Sequence, residues 1–395
     1  MLRQRVNPKG LWHRRGIVLA ACWAVNALAC TAYAPPRPGS PTARLGPARQ
    51  DTPWPVYLGT ARHDISAAET LNADPRPIWS TTAGRAVRGG AVVAENVIVV
   101  GTVERQVVLL DRATGQILWR TRLHGTISGG PLLDMDRLFV ATEASPDGGI
   151  YALQLQDGKV LWNTHTASVE AALVFTGDAL YAGTETGMLL RLTPPDGKIV
   201  WRRQLTGAVR APPVATPAGV VVATTADSLY LVDKGTGEIR SRVGLPGAVL
   251  AAPALDTTGQ MLYLGTTAGH VVAVSLPELR VIWDVTAGDP VLGAPVLARD
   301  TVYALARNGV LWLIPREHPE AARSLALGVI ATAGPMPLAR GILAGSVTGE
   351  VVLVDPASGS VTWRVQLDGP IEQPPLVRDR ELVVVAGRGD IHVYR

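Results

Sequence analysis

The chain has 395 residues and 47% of them are hydrophobic, which is enough to bury a sizeable core and excludes a disordered chain. Its two cysteines, Cys22 and Cys30, lie near the N-terminus, so a disulfide framework or a cysteine metal cluster is excluded elsewhere. The formal net charge is +4, but the first 29 residues hold five basic residues and no acidic one, and the remainder carries −1. The apparent basicity therefore gives no reason to expect a nucleic-acid partner.

The N-terminal segment, residues 1–29, has the pattern of an export signal. Its basic stretch ends at Arg14 and Arg15, and an uncharged apolar run follows from Gly16 to Ala29. That run is too short to span a bilayer comfortably, which is typical of a signal peptide and not of a transmembrane helix.

Both cysteines lie towards the end of this run, where a bacterial lipoprotein signal is cut just before the cysteine that carries the lipid. Cys22 follows the more typical triplet, Leu-Ala-Ala, and would end the signal at residue 21, whereas Cys30 follows an apolar run of more suitable length. The sequence therefore predicts lipidation at Cys22 or Cys30. An ordinary signal cut after Ala34 and an uncleaved anchor are the alternatives.

Residues 30–53 predict an extended, semi-rigid tether that would hold a globular body away from a membrane surface. The stretch has little apolar pattern and is rich in proline, at Pro35, Pro36, Pro38, Pro41, Pro47 and Pro53.

An internal repeat of about 40 residues occupies the rest of the chain. Its clearest phrase, Asp-x-x-(Ser/Thr)-Gly-x-(Ile/Val)-x-Trp, spans Asp111 to Trp119 and Asp355 to Trp363, and looser copies lie between and before them. The tryptophans at this spacing are Trp79, Trp119, Trp162, Trp201, Trp283 and Trp363. Two positions of the same series lack tryptophan, at Ser241 and near Arg323.

A second series of short β-branched runs ending in a small residue occurs eight times, for example at Val99–Thr102 and Tyr181–Thr184. An apolar strand precedes and another follows each run, and the tryptophan-bearing strand closes the unit. Four short strands in about 40 residues predict a β-propeller blade. The predicted fold is therefore all-β, an eight-bladed β-propeller with four-stranded blades over residues 54–395.

The two ends of the repeat predict how the ring closes. The C-terminal copy supplies only three strands, and Pro77–Thr82 stands alone before the first complete copy. We therefore expect Pro77–Thr82 to complete the last blade beside Ile391–Tyr394, so that N- and C-terminal strands pair. For the tryptophan series we expect a structural role, with each indole packed over the glycine turn of the adjacent blade and its N–H bonded to a backbone carbonyl.

The repeated phrase resembles the tryptophan-docking motif of the PQQ-like β-propeller family, and the resemblance covers Trp54 to Arg395. It implies one of two activities. One branch consists of quinoprotein dehydrogenases, which bind PQQ and Ca²⁺ on the propeller axis. The other consists of BamB-like outer-membrane assembly lipoproteins, which are not enzymes.

The enzyme branch implies an axial pocket with a stacking tryptophan, carboxylate and amide ligands for Ca²⁺, and commonly a vicinal disulfide. This chain has no cysteine after Cys30, and its acids and histidines show no convergent spacing. We therefore expect no enzyme activity and no catalytic, cofactor or metal site. A PQQ- and Ca²⁺-dependent dehydrogenase remains the alternative.

The BamB-like branch implies a scaffold lipoprotein, anchored to the outer membrane and facing the periplasm. It would assist insertion of β-barrel proteins by docking on periplasmic domains of a BamA-like barrel insertase, with nascent outer-membrane proteins as further partners. In that family the loop after the fourth tryptophan carries a Leu-Arg docking pair. The nearest match after Trp201 is Val209-Arg210, with valine in place of leucine. A cell-envelope interaction propeller with another partner is a further alternative.

Overall fold

The computed structural model describes residues 69–144 and 147–395. The predicted signal and tether, with Cys22 and Cys30, and the first part of the predicted domain lie outside these residues. Within the described ranges, thirty-two strands form eight four-stranded antiparallel sheets, and one short 3₁₀ helix spans Pro319–Ala321. The sheets are arranged as blades in a ring, which confirms the predicted eight-bladed β-propeller.

Each blade is a meander that runs from the axis outwards, and we number the blades 1 to 8 in the chain order of their inner strands. The inner strands are β2 (Ala91–Val93), β6 (Leu132–Asp134), β10 (Val174–Phe175), β14 (Val214–Thr216), β18 (Ala254–Leu255), β22 (Val296–Ala298), β26 (Met336–Pro337) and β30 (Leu376–Arg378). The second strands are β3 (Val97–Gly101), β7 (Arg137–Thr142), β11 (Leu180–Gly183), β15 (Gly219–Thr224), β19 (Met261–Gly265), β23 (Thr301–Leu305), β27 (Ile342–Gly345) and β31 (Glu381–Val385).

The outer half of each blade consists of a third strand and an outer strand. The third strands are β4 (Gln106–Asp111), β8 (Gly148–Gln154), β12 (Met188–Leu192), β16 (Ser228–Val232), β20 (His270–Ser275), β24 (Val310–Pro315), β28 (Glu350–Val354) and β32 (Asp390–Tyr394). The outer strands are β5 (Ile117–Arg122), β9 (Val160–Thr166), β13 (Ile199–Gln204), β17 (Ile239–Gly244), β21 (Arg280–Thr286), β25 (Arg323–Ala326), β29 (Val361–Gln366) and β1 (Pro77–Thr82).

The composition of the strands explains their places in a blade. Second strands are runs of Val, Ile, Leu and Ala, and Val97–Gly101 and Gly219–Thr224 are buried at every residue because both faces of the blade are covered by neighbouring blades. Outer strands alternate between half-buried and exposed residues, as in Ile199–Gln204 and Val361–Gln366, because only one of their faces packs.

The ring closes through the eighth blade, which combines β30, β31 and β32 with β1. β1 pairs antiparallel with β32, with Trp79 opposite Val393 and Thr81 opposite Ile391. The backbones of Arg76 and Arg395 also exchange two hydrogen bonds of 2.9 Å. The N-terminal strand therefore completes the last blade, which confirms the predicted closure.

The chain turns alternately at two ends of each blade, and this fixes which loops share a face. We define the upper face as the end that carries two kinds of loop. The mouth loops join the outer strand of one blade to the inner strand of the next, and each is assigned to the blade that it enters. The upper hairpins join second and third strands. The lower face carries the other turns. Upper hairpins and mouth loops are hydrogen-bonded to each other, as in Glu185 N–H to Ser168 O at 2.9 Å.

Candidate functional site

The predicted tryptophans lie on outer strands and dock on the next blade around the ring. Five indole N–H groups donate to a backbone carbonyl of that blade over 2.9–3.0 Å: Trp79 to Arg112, Trp119 to Leu155, Trp162 to Pro194, Trp201 to Lys234 and Trp283 to Arg316. The indole of Trp79 covers Gly115, which has a φ of +71°, and a Cβ at that glycine would lie 2.5 Å from the ring. The rings therefore fill the gap between blades.

The sixth tryptophan and the two substituted positions complete the ring by other means. Trp363 packs edge-on against Tyr394 of the last blade, with ring centroids 5.9 Å apart. Ser241 keeps the hydrogen bond without the ring, since its Oγ donates to Pro277 O over 3.1 Å. In blade 6 the exposed Arg323 stands at the tryptophan position. The third and outer strands of this blade, β24 and β25, pair without the register shift that is seen between these two strands in the other blades.

The mouth loops contain a second repeated position, which the sequence analysis missed. Val209 is fully buried, and it packs against Gly183, where a Cβ would clash with it. The equivalent residues of the other blades are also buried: Val87, Ile127, Val169, Val249, Val291, Ala331 and Ile371. Val209 is thus one member of a packing series, and only Arg210 of the predicted docking pair is exposed. The recurrence of Ala-Val or Pro-Val three or four residues before a proline was the available signal.

The residue that follows each of these buried positions lines a cavity on the axis. We call this set the mouth residues: Arg88, Ser128, Glu170, Arg210, Leu250, Leu292, Thr332 and Glu372. The cavity has a volume of about 240 Å³ and is lined by residues from all eight blades, which places it on the axis at the upper face. The backbone position repeats around the ring while the side chain changes from blade to blade.

Arg210 is the centre of a charged cluster at this mouth. Its Nη2 lies 3.0 Å from Glu185 Oε2, and its Nε lies 3.3 Å from Glu170 Oε2. Burial raises the pKa of Glu170, and the neighbouring carboxylate of Glu185 raises that pKa further. The side chain of Arg210 is 46% exposed, and its Nη1 makes no hydrogen bond within the described residues. Arg210 therefore pairs with two carboxylates, whose combined charge it only partly offsets, and its Nη1 donors stay unbonded within the described residues.

The axial cavity does not fit PQQ with Ca²⁺. No tryptophan lines it, and its two carboxylates, Glu170 and Glu372, belong to blades 3 and 8. Across residues 69–144 and 147–395 no three or more His, Cys, Asp or Glu side chains are grouped so that they could hold a metal ion.

Within the same residues, none of the helical structure has the length and apolar composition of a membrane span.

Comparisons with known proteins point to one family. A family model described as "Outer membrane protein assembly factor BamB" matches residues 66–176, 165–324 and 320–395. Proteins of that name are 26% identical in Burkholderia pseudomallei (60% of this chain, 66% of that protein), 24% in Shewanella oneidensis (62% and 65%) and 25% in Yersinia pestis (42% and 49%). The matches therefore span between about half and two thirds of the length of these relatives.

Solved structures agree on the fold. BamB from Moraxella catarrhalis superposes with a TM-score of 0.68 and 16% identity, covering 81% of this chain and 99% of that one. The computationally designed Ika8 protein gives the same TM-score and coverage at 15% identity, so this likeness shows the fold alone. Because the family model matches three consecutive stretches that together run from residue 66 to the C-terminus, the chain belongs to the family of the outer membrane protein assembly factor BamB.

Proposed function

We propose that this protein is a non-enzymatic scaffold that assists assembly and insertion of β-barrel proteins into the outer membrane by docking on the periplasmic domains of a BamA-like barrel insertase. The observation that carries the proposal is the family match over the whole ring of blades. The relatives are named as assembly factors, and a rigid propeller with short loops suits recognition by its faces. Nascent outer-membrane proteins are a second class of partner in this proposal.

The proposed location is the periplasmic side of the outer membrane, with a lipid on Cys22 or Cys30 and residues 30–53 as the tether. The relatives named as outer-membrane assembly factors support this location. The lipid site is tested by mass spectrometry of the N-terminal peptide of the protein purified from its native membrane. A diacylated peptide beginning at Cys22 or at Cys30 supports the anchor, and an unmodified N-terminus beyond residue 30 contradicts it.

We propose the upper face as the docking surface, with Arg210 as a contact residue. Its free Nη1 donors lie at the rim of the axial cavity, where a partner's carbonyl or carboxylate oxygen can accept them. Val209 supports this docking indirectly, because its buried side chain fixes the position of the loop that carries Arg210. The family's docking pair thus divides into one packing residue and one contact residue in this chain.

The function is tested by purifying the tagged protein from its native envelope and identifying co-purified proteins. We expect the barrel insertase, and we expect Arg210→Gln to lower its recovery severalfold. The matched control is Arg364→Gln on an outer strand, where the arginine is also exposed and also paired with a glutamate. Absence of the insertase, together with unchanged barrel-protein levels after deletion of the gene, would sink the proposal. A saturable absorbance change on adding PQQ and Ca²⁺ would instead support the dehydrogenase alternative.

A further inference from the structure

The eight junctions between neighbouring blades do not carry the same hydrogen bonds. Six of them have a backbone bond at the mouth, from the N–H of the buried aliphatic residue to the upper hairpin of the preceding blade, as in Val209 N–H to Thr184 O at 3.0 Å. The six donors are Ile127, Val169, Val209, Val291, Ala331 and Ile371. Five junctions have the indole hydrogen bond at the rim. Among the described residues, the junction between blades 4 and 5 is the one that has neither bond.

At the rim of this junction the tryptophan and the glycine are both replaced. Ser241 stands at the tryptophan position of blade 4, and Leu279 stands in the turn of blade 5 where the turns of blades 1–4 and 7 have glycine. Leu279 is 2% exposed, so a buried leucine takes the place of the indole and glycine pair, but its φ of +54° is costly for a leucine. The hydrogen bond that remains at this rim is the one from Ser241 Oγ to Pro277 O.

The core between blades 4 and 5 also lacks aromatic rings within the described part of the chain. It consists of Ala, Val and Leu, for example Leu231 of blade 4 with Leu262 and Val274 of blade 5. Each of the other six hydrophobic clusters contains a Trp, Tyr or Phe or has one packed against it. Aliphatic packing is non-directional, whereas a hydrogen-bonded indole over a turn has one preferred position. This junction is therefore buried, but few contacts fix the angle between its two blades.

We propose that the junction between blades 4 and 5 is a hinge of the ring, at which the two blades slide against each other and change the width of the mouth. The junction passes between two neighbouring mouth residues, Arg210 of blade 4 and Leu250 of blade 5. Motion there moves the apolar side of the mouth, Leu250 and Leu292, relative to the charged cluster around Arg210. The hinge goes beyond the proposed function, because it is a property of the free chain whatever its partner.

Hydrogen exchange on the purified full chain tests the hinge without any variant. The outer strands Ile199–Gln204 and Ile239–Gly244 are each six residues long and pair with their third strands through the same register shift, so their amides are matched. After correction for intrinsic rates, we expect the amides of Ile239–Gly244 to exchange at least about tenfold faster, because opening of the junction exposes them. Equal exchange in the two strands overturns the inference.

Restoring the repeat at this junction should slow its opening. Ser241→Trp combined with Leu279→Gly returns the indole and the glycine, and we expect the exchange of Ile239–Gly244 to fall to that of Ile199–Gln204. Ser241→Trp alone is the matched control, and it should not slow exchange, because Leu279 still occupies the glycine position. A folded double variant that exchanges like the unaltered chain contradicts the hinge. If the double variant does not fold, the comparison of the two strands in the unaltered chain still decides.

Motion at the mouth is tested with pairs of spin labels on the upper hairpins. Ala226→Cys with Ala268→Cys places labels on blades 4 and 5, and Thr186→Cys with Ala226→Cys places them on blades 3 and 4. Both pairs are made in a chain that carries Cys22→Ser and Cys30→Ser. We expect a broader distribution of distances between blades 4 and 5, and equal widths would contradict the change in mouth width. Capture of the insertase, which tests the proposed function, depends on neither result.

Discussion

The outer rim and the mouth are built by the same repeat but differ in what the repeat holds constant. At the rim the side chain is repeated: five tryptophans make the same hydrogen bond to the next blade, and Ser241 keeps that bond without the ring. At the mouth the backbone and a buried aliphatic residue are repeated, while the next residue is Arg, Ser, Glu, Leu or Thr. The side chains that repeat are therefore the ones that pack between or within blades. The positions where the side chain varies lie on the surface that is available for recognition.

The largest loss in the free energy of unfolding is expected when a repeated tryptophan contact at the rim is removed. Trp119 is 5% exposed and its indole bonds to Leu155 O over 2.9 Å, so Trp119→Ala leaves a cavity between blades 1 and 2. We expect a loss of about 3–5 kcal/mol in the free energy of unfolding, measured by urea denaturation. Ser241→Ala, at the same position of blade 4, removes only a hydrogen bond and should cost about 1 kcal/mol. Similar losses for the two variants would mean that the tryptophans do not form the core of the rim.

Removing an ion pair at the closing junction between blades 8 and 1 should lower the free energy of unfolding almost as much. Arg112 is buried, and its Nε bonds to Glu381 and its Nη1 to Asp379, each at 2.9 Å, across that junction. Arg112→Met leaves the buried Glu381 with Arg395 alone and should cost about 3 kcal/mol.

Arg316→Met is the matched control for the closing junction. Arg316 has the same place in the turn of blade 6, but its acidic partners are exposed, so the change should cost less than about 1 kcal/mol. Equal losses for Arg112→Met and Arg316→Met in the same urea denaturation series would show that the junction is closed by its strands alone.

The glycine turns beneath the tryptophans should be sensitive to a single methyl group. Gly158 has a φ of +70°, and a Cβ there would lie 2.7 Å from the ring of Trp119. Gly158→Ala should therefore cost about 2–3 kcal/mol, from backbone strain and from displacement of the ring. Gly177→Ala has a similar φ of +85° but open space around it, and should cost about 1 kcal/mol. The difference between the thermal unfolding curves of the two variants measures the contact between Gly158 and Trp119. Identical curves would contradict the packing of the tryptophan over the glycine.

A smaller effect on stability, which depends on pH, is expected at His392 in β32 of the closing blade. Burial lowers the pKa of His392 below its ordinary value, and its Nε2 has no hydrogen-bond partner within the described residues. The neutral form is favoured in the folded state, so its stabilising contribution is full above the unfolded pKa and declines as the pH falls below about 6.5. His392→Gln should flatten the stability curve over that range. An unchanged slope would show that other groups cause the acid sensitivity.

The fold could be predicted because its determinants are local and recur. The spacing of Trp119 and Trp363 after Asp-x-x-(Ser/Thr)-Gly, together with the β-branched runs, sets the blade and its length, and the unpaired strand at Pro77–Thr82 indicated the closure. The packing of a tryptophan over a glycine also follows from the two residue types, since a glycine, as at Gly115, readily adopts the positive φ required under a ring.

The mouth was less accessible to sequence reasoning because it brings together residues from all eight blades. Val209 and Arg210 are adjacent in sequence but lie on opposite sides of the loop surface, one buried and one exposed. The pairing of Arg210 with both Glu170 and Glu185 depends on the contact between blades 3 and 4, which no local pattern encodes. Aligning the repeats on the buried aliphatic residue would have identified the mouth residues, but not which of them interact.

The central claim is that the mouth, and not the rim, meets the partner, and site-specific photo-crosslinking in the native envelope tests it most directly. A photoreactive residue at Leu250 or Ile330 reports on the mouth, and one at Ile282, 53% exposed on an outer strand, reports on the rim. We expect cross-links to the barrel insertase from the two mouth positions and none from Ile282. Cross-links from Ile282 in the absence of any from Leu250 and Ile330 would contradict the account.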